Sequence, residues 1–164
     1  MKKAKYIVSA CLLGERCRYN GEKKGHPGVV RFLRGKKYFA LCPEMLAGWG
    51  SPRPPVQFHG GGASGVAEGR ARIRDDRGRD RTGSLIKGIS KALRRALSLE
   101  SREAILKEKS PSCGVKRVYR DGRLARGEGL FTHWLREKGI RVRSEESFTK
   151  RLRPELSRRR SGRP

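Results

Sequence analysis

Short apolar runs recur along the chain, and each is followed by a turn rich in glycine, proline or polar residues. Runs of β-branched and apolar residues bounded by such turns are typical of buried strands. This pattern predicts four strands, at residues 5–13, 37–42, 104–106 and 140–142. The passage 48–65 contains many prolines and glycines, so we expect neither a helix nor a central strand there.

A different spacing predicts the helices. Between Leu85 and Leu97 apolar residues recur three or four positions apart, which indicates a helix over 82–99 with Thr82 as its cap. Residues 29–33 predict one or two helical turns, and 127–138 predict a second long helix. Two β-hairpins are expected, at 69–82 and, around an Asp-Gly turn, at 118–124.

Strands that alternate with helices favour an α/β architecture. We therefore predict a single α/β domain over residues 1–149, Rossmann-like, with a largely parallel sheet flanked by helices and one or two β-hairpins. Residues 150–164 are basic and poor in apolar side chains, which predicts a disordered tail. In such sheets the functional site lies at the carboxyl ends of the strands.

The composition adds an unusually strong positive charge. The 164 residues include 41 lysines and arginines against 16 acidic residues, a formal net charge of +25. One interpretation is a solvated, arginine-rich surface. The other is a polyanionic or nucleotide-like partner, because clustered basic charge attracts phosphate without reading sequence.

The N-terminal segment bears on the compartment in which the chain works. Residues 8–11, VSAC, imitate a lipoprotein cleavage site, but the apolar run before Cys11 is shorter than a signal peptide requires. No stretch is long and apolar enough to predict a membrane span. We therefore expect a cytoplasmic, reducing environment, in which cysteines more often bind metals or act in catalysis than form disulfides.

Three of the four cysteines stand at the ends of predicted strands. Cys11, Cys42 and Cys113 each come near the end of an apolar run or just beyond it. Parallel strands share one carboxyl edge, so we expect these three thiols to converge there. Cys17 falls in a polar loop that we expect to be flexible, and it ranks below the other three as a ligand.

Three converging thiols allow several interpretations. They could be small buried side chains without a chemical role, since free cysteine is often buried. A structural zinc site usually shows paired C-x₂-C spacings, and the chain has none. An iron–sulfur cluster needs soft thiolates at suitable positions, and three protein ligands would leave one iron open to act as a Lewis acid. Cys17 as a fourth ligand would close that position.

Polar residues stand beside these cysteines. Glu44 follows Cys42-Pro43 directly, so it is a candidate general acid or base, or else a solvated loop carboxylate. Ser110 and Ser112 flank Pro111 just before Cys113. Either serine could stabilise the tight turn, and either could position a substrate or a water molecule.

Several of these segments, in order, resemble motifs of the thiouracil desulfurase family. The matching segments span about residues 5–146 and are VSACLLG at 8–14, CRYNG at 17–21, CPE at 42–44, PRPP at 52–55, GRAR at 69–72, KEKSPSCG at 107–114 and GEG at 127–129. The resemblance implies an enzyme with an oxygen-sensitive [4Fe-4S] cluster bound by Cys11, Cys42 and Cys113. The iron without a cysteine ligand would take the sulfur of a thiocarbonyl group.

The same resemblance implies a non-redox reaction in which water replaces sulfur, converting 2-thiouracil or a related compound into uracil and hydrogen sulfide. Glu44 would activate the water and move protons, and Ser110 would position or protonate the substrate. Asn20 and Gln57 depart from the family pattern, in which acidic residues are frequent; neither is an expected ligand, but the departures mean that the resemblance does not fix the substrate.

The expected partner is a small thiolated base or nucleotide, and the charge of +25 adds RNA as a further one. Relatives that act on thiouridine in RNA usually carry an additional domain. Two other functions stay open at this point. The chain could be a basic nucleic-acid-binding module with structural cysteines, or a carrier that hands sulfur or a cluster to another protein.

Overall fold

Two four-stranded sheets and six α-helices make up the fold in our computed structural model, which describes residues 3–149. The strands are β1 (Tyr6–Ser9), β2 (Tyr38–Leu41), β3 (Val56–His59), β4 (Arg72–Asp75), β5 (Glu103–Leu106), β6 (Arg117–Arg120), β7 (Arg123–Arg126) and β8 (Arg141–Ser144). The helices are α1 (Pro27–Leu33), α2 (Pro43–Leu46), α3 (Ala63–Ala67), α4 (Thr82–Ser98), α5 (Leu130–Glu137) and α6 (Glu146–Thr149), and a 3₁₀ helix spans Ala10–Leu13.

The first sheet is the parallel sheet that the sequence predicts. Its strand order is β2-β1-β5-β8, and all neighbours run parallel. Every residue of β1 and β5 is buried, as expected for central strands covered on both faces. The carboxyl ends of β1, β2 and β5 therefore lie side by side at one edge.

The second sheet is mixed and has the order β4-β3-β6-β7. Its β6–β7 hairpin turns at Asp121-Gly122, as predicted. Strand β3 and the start of α3 lie in the passage 48–65, so the prediction of neither a helix nor a central strand there was wrong. Four residues are too few to show the alternation of apolar and polar side chains that predicts a strand. Strand β3 is stabilised instead by its pairing with β4 and β6, which come later in the chain.

The expected hairpin at 69–82 is only partly formed. Strand β4 pairs with β3, and its return arm contributes a single bridge, between Arg74 and Asp80. Thr82 is the first residue of α4 rather than its cap, because its hydroxyl accepts a hydrogen bond from the Ile73 amide at 2.8 Å. The helix is thereby tied to β4 at its amino end.

Helix α4 supplies the largest apolar face of the core. Its stripe of small and aliphatic residues is buried, and includes Leu85, Gly88, Ile89, Ala92 and Ala96. The main core contains these residues together with apolar residues of both sheets, and a smaller core lies between the first sheet, α1 and α6. The predicted α/β fold with a largely parallel sheet is confirmed.

Two further predictions concern membrane spans and the C-terminal tail. Within residues 3–149, no helix has the length and apolar character to cross a membrane. The predicted basic tail at 150–164 lies outside the described residues. Its disorder stays a prediction.

Candidate active site

The structure brings all four cysteines to the walls of one cavity. Cys11 lies in the 3₁₀ helix that follows β1, Cys42 lies between β2 and α2, and Cys113 lies in the turn after β5. The sharp turns have local causes: Gly14, with φ of 87°, ends the 3₁₀ helix, and Pro43 starts α2 directly after Cys42. The carboxyl edge of the parallel sheet thus carries the three thiols that the sequence placed there.

Cys17 differs from its predicted environment. It is 5% exposed, whereas the sequence suggested a flexible polar loop. Its thiol hydrogen-bonds with the thiols of Cys11 and Cys42, and its carbonyl accepts a hydrogen bond from Arg53 at 2.8 Å. An isolated cysteine in a polar loop gives no sequence signal for such burial, which depends on the distant Arg53.

The crowding of the thiols opposes their ionisation. The hydrogen bond with Cys11 is the main cause that raises the pKa of Cys17 to about 12. The hydrogen bond with Cys17, followed by burial, raises the pKa of Cys42. Burial, followed by the nearby Cys42 and Glu44, raises the pKa of Cys113. These three thiols therefore stay protonated at neutral pH unless a cation compensates their charge.

Glu44 lies in the first turn of α2 and forms a buried ion pair with Arg53. The Arg53 Nε donates a hydrogen bond to Oε2 of Glu44 at 2.9 Å, and Nη2 contacts the same oxygen. The side chains of Arg53 and Glu44 are only 5% and 9% exposed. Glu44 is thus held by a buried ion pair in the cavity wall rather than being a solvated loop carboxylate.

Arg53 is a site residue that the sequence analysis did not single out. It lies within PRPP at 52–55, and its guanidinium also donates to the Gly50 carbonyl at 2.6 Å. The neighbouring prolines restrict the backbone on both sides of it. An arginine held between prolines was the available signal, but only the fold reveals Glu44 as its partner.

Ser110 and Ser112 both reach the other oxygen of Glu44. The Ser112 hydroxyl donates to Oε1 at 2.8 Å, and the Ser110 hydroxyl lies 3.2 Å from it. The Ser110 oxygen also accepts hydrogen bonds from the amides of Ser112 and Cys113, at 3.1 and 3.3 Å. Ser112 is buried and Ser110 is half-buried, so Ser110 is the more accessible of the two.

Glu108 holds the segment that follows Cys113. Its Oε1 accepts hydrogen bonds from three successive amides, those of Val115, Lys116 and Arg117, at 2.7 to 3.0 Å. Burial opposes ionisation of Glu108, but the amide hydrogen bonds prevail and hold its pKa below the usual value. This second buried carboxylate was not identified from the sequence, in which it resembles any charged loop residue.

The cavity enclosed by these groups has a volume of about 460 Å³, within the range of small-ligand sites. Its wall also includes Lys107, Lys109 and Tyr119. Asn20 and Gln57 do not line it. Asn20 accepts a hydrogen bond from the Glu22 amide, and Gln57 accepts one from the Gly122 amide, so each supports a turn.

The donor set suits an iron–sulfur cluster. Cys11, Cys17, Cys42 and Cys113 offer soft thiol ligands around one cavity, and iron would favour the thiolates that crowding otherwise suppresses. Within the described part of the chain, no three His, Cys, Asp or Glu side chains have the arrangement required by a single metal ion. The thiolates of a cluster bind different iron atoms, so they need not converge on one point.

Comparisons with known proteins agree with this picture. The family model described as 2-thiouracil desulfurase matches residues 6–147. The uncharacterized protein YbbK of Bacillus subtilis (strain 168) is 37% identical over 145 residues, which cover 87% of this chain and 96% of YbbK. The solved structure of the [4Fe-4S]-dependent thiouracil desulfidase TudS is 38% identical and has a TM-score of 0.75, covering 94% of this chain and 99% of TudS.

Proposed function

Since the chain belongs to the 2-thiouracil desulfurase family, we propose that it is a [4Fe-4S]-dependent desulfidase. The substrate is a thiolated nucleobase or a related thiocarbonyl compound, such as 2-thiouracil. Water supplies the oxygen that replaces sulfur: one C–S double bond is lost, one C–O double bond forms, and both protons of the water leave with the sulfide. No electron donor or acceptor is required.

Cys11, Cys42 and Cys113 hold the cluster in this proposal. The observation that carries it is their common position at the carboxyl ends of β1, β2 and β5, around a cavity that also contains Glu44. When bound, the cluster supplies a Lewis acid with affinity for sulfur at the iron that has no cysteine ligand. Cys17, which lies beside Cys11 and Cys42, is not a ligand in this proposal.

Glu44 acts as the proton-transfer group. Arg53 pairs with Oε2 and fixes the carboxylate, which leaves Oε1 to accept hydrogen bonds from the cavity side. A water molecule that replaces a serine hydroxyl at Oε1 would give up a proton there. General bases in such positions typically contribute about 10²- to 10⁴-fold to the rate.

Ser110 orients the reacting group. Its oxygen is fixed by the amides of Ser112 and Cys113, so its own proton is free to point toward Glu44 or toward a substrate atom. Ser112 is a positioning residue, because it is buried and donates to Glu44 at 2.8 Å. The hydroxyls of Ser110 and Ser112 together form a short proton path between the Glu44 carboxylate and the cavity.

The test is anaerobic reconstitution with iron and sulfide, followed by incubation with 2-thiouracil. We expect uracil and sulfide to appear in equal amounts over many turnovers, with no added reductant. A carrier of sulfur or clusters would not turn over the free base, so no uracil would form and the sulfide released would not exceed the roughly four per chain that its cluster holds. A fully loaded protein that leaves thiouracil and related thiobases unchanged would contradict the proposal.

A further inference from the structure

One face of the second sheet carries positive charge beside the cavity. In β4, Ile73 and Asp75 are buried, whereas Arg72 and Arg74 are exposed. In the β6–β7 hairpin the outward-facing residues are two cross-strand pairs, Tyr119 with Leu124 and Arg117 with Arg126. We call this surface the basic face: Arg72, Arg74, Arg117, Tyr119, Leu124 and Arg126.

No carboxylate belongs to this face of the strands. The two residues that β3 adds to it are Gln57 and His59. The acidic partners come from outside the four strands: Asp80 lies 3.6 Å from Arg72, and Glu146 lies 2.5 Å from Arg117. Within residues 3–149, Arg74 and Arg126 have no salt-bridge partner.

The hairpin also places like charges directly opposite each other. On the basic face Arg117 lies opposite Arg126 across β6 and β7, next to the pair formed by Tyr119 and Leu124. Such pairs destabilise a sheet, and a bound anion would relieve the repulsion. An exposed aromatic ring lies beside this arginine pair, since Tyr119 is 45% exposed. Arginines that track a phosphate backbone beside a ring on which bases stack are the combination used by single-strand binding surfaces.

We propose that the basic face binds single-stranded RNA. The phosphates would contact Arg74, Arg126 and their neighbours, and a base would stack on Tyr119. The choice of RNA over DNA rests on the proposed function, whose product, uracil, is an RNA base. Because Tyr119 also lines the cavity, a bound strand would pass the cavity mouth and hinder entry of a free base.

The experiment measures binding of a fluorescent uridine oligonucleotide of about 12 nucleotides to the full chain, by anisotropy, over a salt series. Arg74→Glu/Arg126→Glu removes two arginines of the basic face. Lys87→Glu/Arg94→Glu makes the same charge change on the exposed side of α4 and serves as the matched control. Circular dichroism checks that both variants fold.

We expect the basic-face variant to bind about tenfold more weakly or worse, and its plot of log affinity against log salt to be shallower by about 1.4. The control should stay within about twofold of the wild type, and Tyr119→Ala should weaken binding about tenfold. Three results would overturn the proposal: no binding by the wild type at about 100 mM salt, equal losses in the two double variants, or equal affinity for a thymidine oligonucleotide.

Desulfuration of free 2-thiouracil by the same proteins separates this inference from the proposed function. The oligonucleotide should raise the apparent KM of the wild type without changing kcat, and should have little effect on Arg74→Glu/Arg126→Glu. An unchanged KM with RNA bound would contradict the placement of the strand at the cavity mouth. If the protein binds RNA but never releases sulfide from 2-thiouracil, the proposed RNA-binding surface stands and the proposed desulfidase function is wrong.

Discussion

Glu44 is the side chain on which the proposed chemistry depends most. One oxygen is occupied by Arg53, and the other receives hydrogen bonds from Ser110 and Ser112. A carboxylate with one oxygen fixed and one facing hydroxyl donors has a defined direction for accepting a proton. This geometry is the reason for proposing Glu44 as the proton acceptor, and the following substitution tests that role against a purely structural one.

Substitution Glu44→Gln tests this role. Glutamine has nearly the same shape, and its one oxygen can still accept hydrogen bonds from Arg53 while its amide faces the serine oxygens, but it cannot take up a proton. We expect the rate of sulfide release to fall about 10²- to 10⁴-fold with unchanged iron content. Glu68→Gln, at an exposed pair with Arg70, is the control. A rate within twofold of the wild type would remove Glu44 from the reaction.

Arg53 should be essential for stability as well as for the site. Substitution Arg53→Met would leave the buried Glu44 charge without its cation, at a cost of about 3 kcal/mol in the free energy of unfolding. The exposed Arg70–Glu68 pair offers a matched comparison, and Arg70→Met should cost less than about 1 kcal/mol. Urea denaturation of both variants gives the two values. Equal costs would show that the Glu44–Arg53 pair is not buried in solution.

At the scale of elements, the site depends on how α2 is seated against α4. Gly88 of α4 has no room for a side chain: a Cβ there would lie 2.3 Å from the Pro43 carbonyl oxygen and 2.8 Å from the Ala47 Cβ. Helix α2 starts directly after Cys42 and carries Glu44. The contact at Gly88 therefore sets the position of one thiol and of the proposed base.

Substitution Gly88→Ala should separate the two helices. We expect a loss of about 1–3 kcal/mol in the free energy of unfolding together with reduced iron loading and activity. Gly83 is in the same helix, and a Cβ there meets nothing within 4 Å. Gly83→Ala should keep full activity and gain about 0.5–1 kcal/mol from helix propensity. Thermal unfolding and iron content measured side by side decide between these outcomes, and an active, fully loaded Gly88→Ala protein would contradict the account.

The loop after β5 should respond to acid through Glu108. Its pKa in the folded protein lies below the usual value of 4.5, so the ionised carboxylate favours folding. This contribution is complete above about pH 4.5 and is lost as the pH falls through the folded pKa. Glu108→Gln should therefore be less stable than the wild type at pH 7, with a difference that shrinks below pH 4.5. A difference that stays constant from pH 7 to pH 3 would contradict this role.

At the scale of the whole molecule, the sequence predicted the parts of the fold that have local causes. The strands before Cys11, Cys42 and Cys113 are short apolar runs that end in turns, and parallel pairing places those ends together without further information. Strand β3 was not predicted because its four residues show no strand pattern of their own and form a strand only by pairing with β4 and β6.

The residues of the candidate site also fall into those that the sequence predicted and those that it did not. Glu44, the two serines and the three cysteines could be named from their positions next to strand ends, whereas the choice of Ser110 over Ser112 came from the family resemblance. Arg53, Glu108 and the burial of Cys17 could not, because each depends on a contact between segments that are distant in sequence or on amides that a turn brings together. Long-range pairing of polar groups is the information that a single sequence does not display.

The most direct test of the whole account is the anaerobic iron and sulfide content of the reconstituted wild type beside Cys17→Ala and Cys113→Ala. If Cys11, Cys42 and Cys113 are the ligands, the wild type and Cys17→Ala will each hold about four iron and four sulfide per chain. Cys113→Ala will lose the cluster and the release of sulfide from 2-thiouracil. A cluster that is lost in Cys17→Ala, or kept intact in Cys113→Ala, would contradict the three-cysteine site.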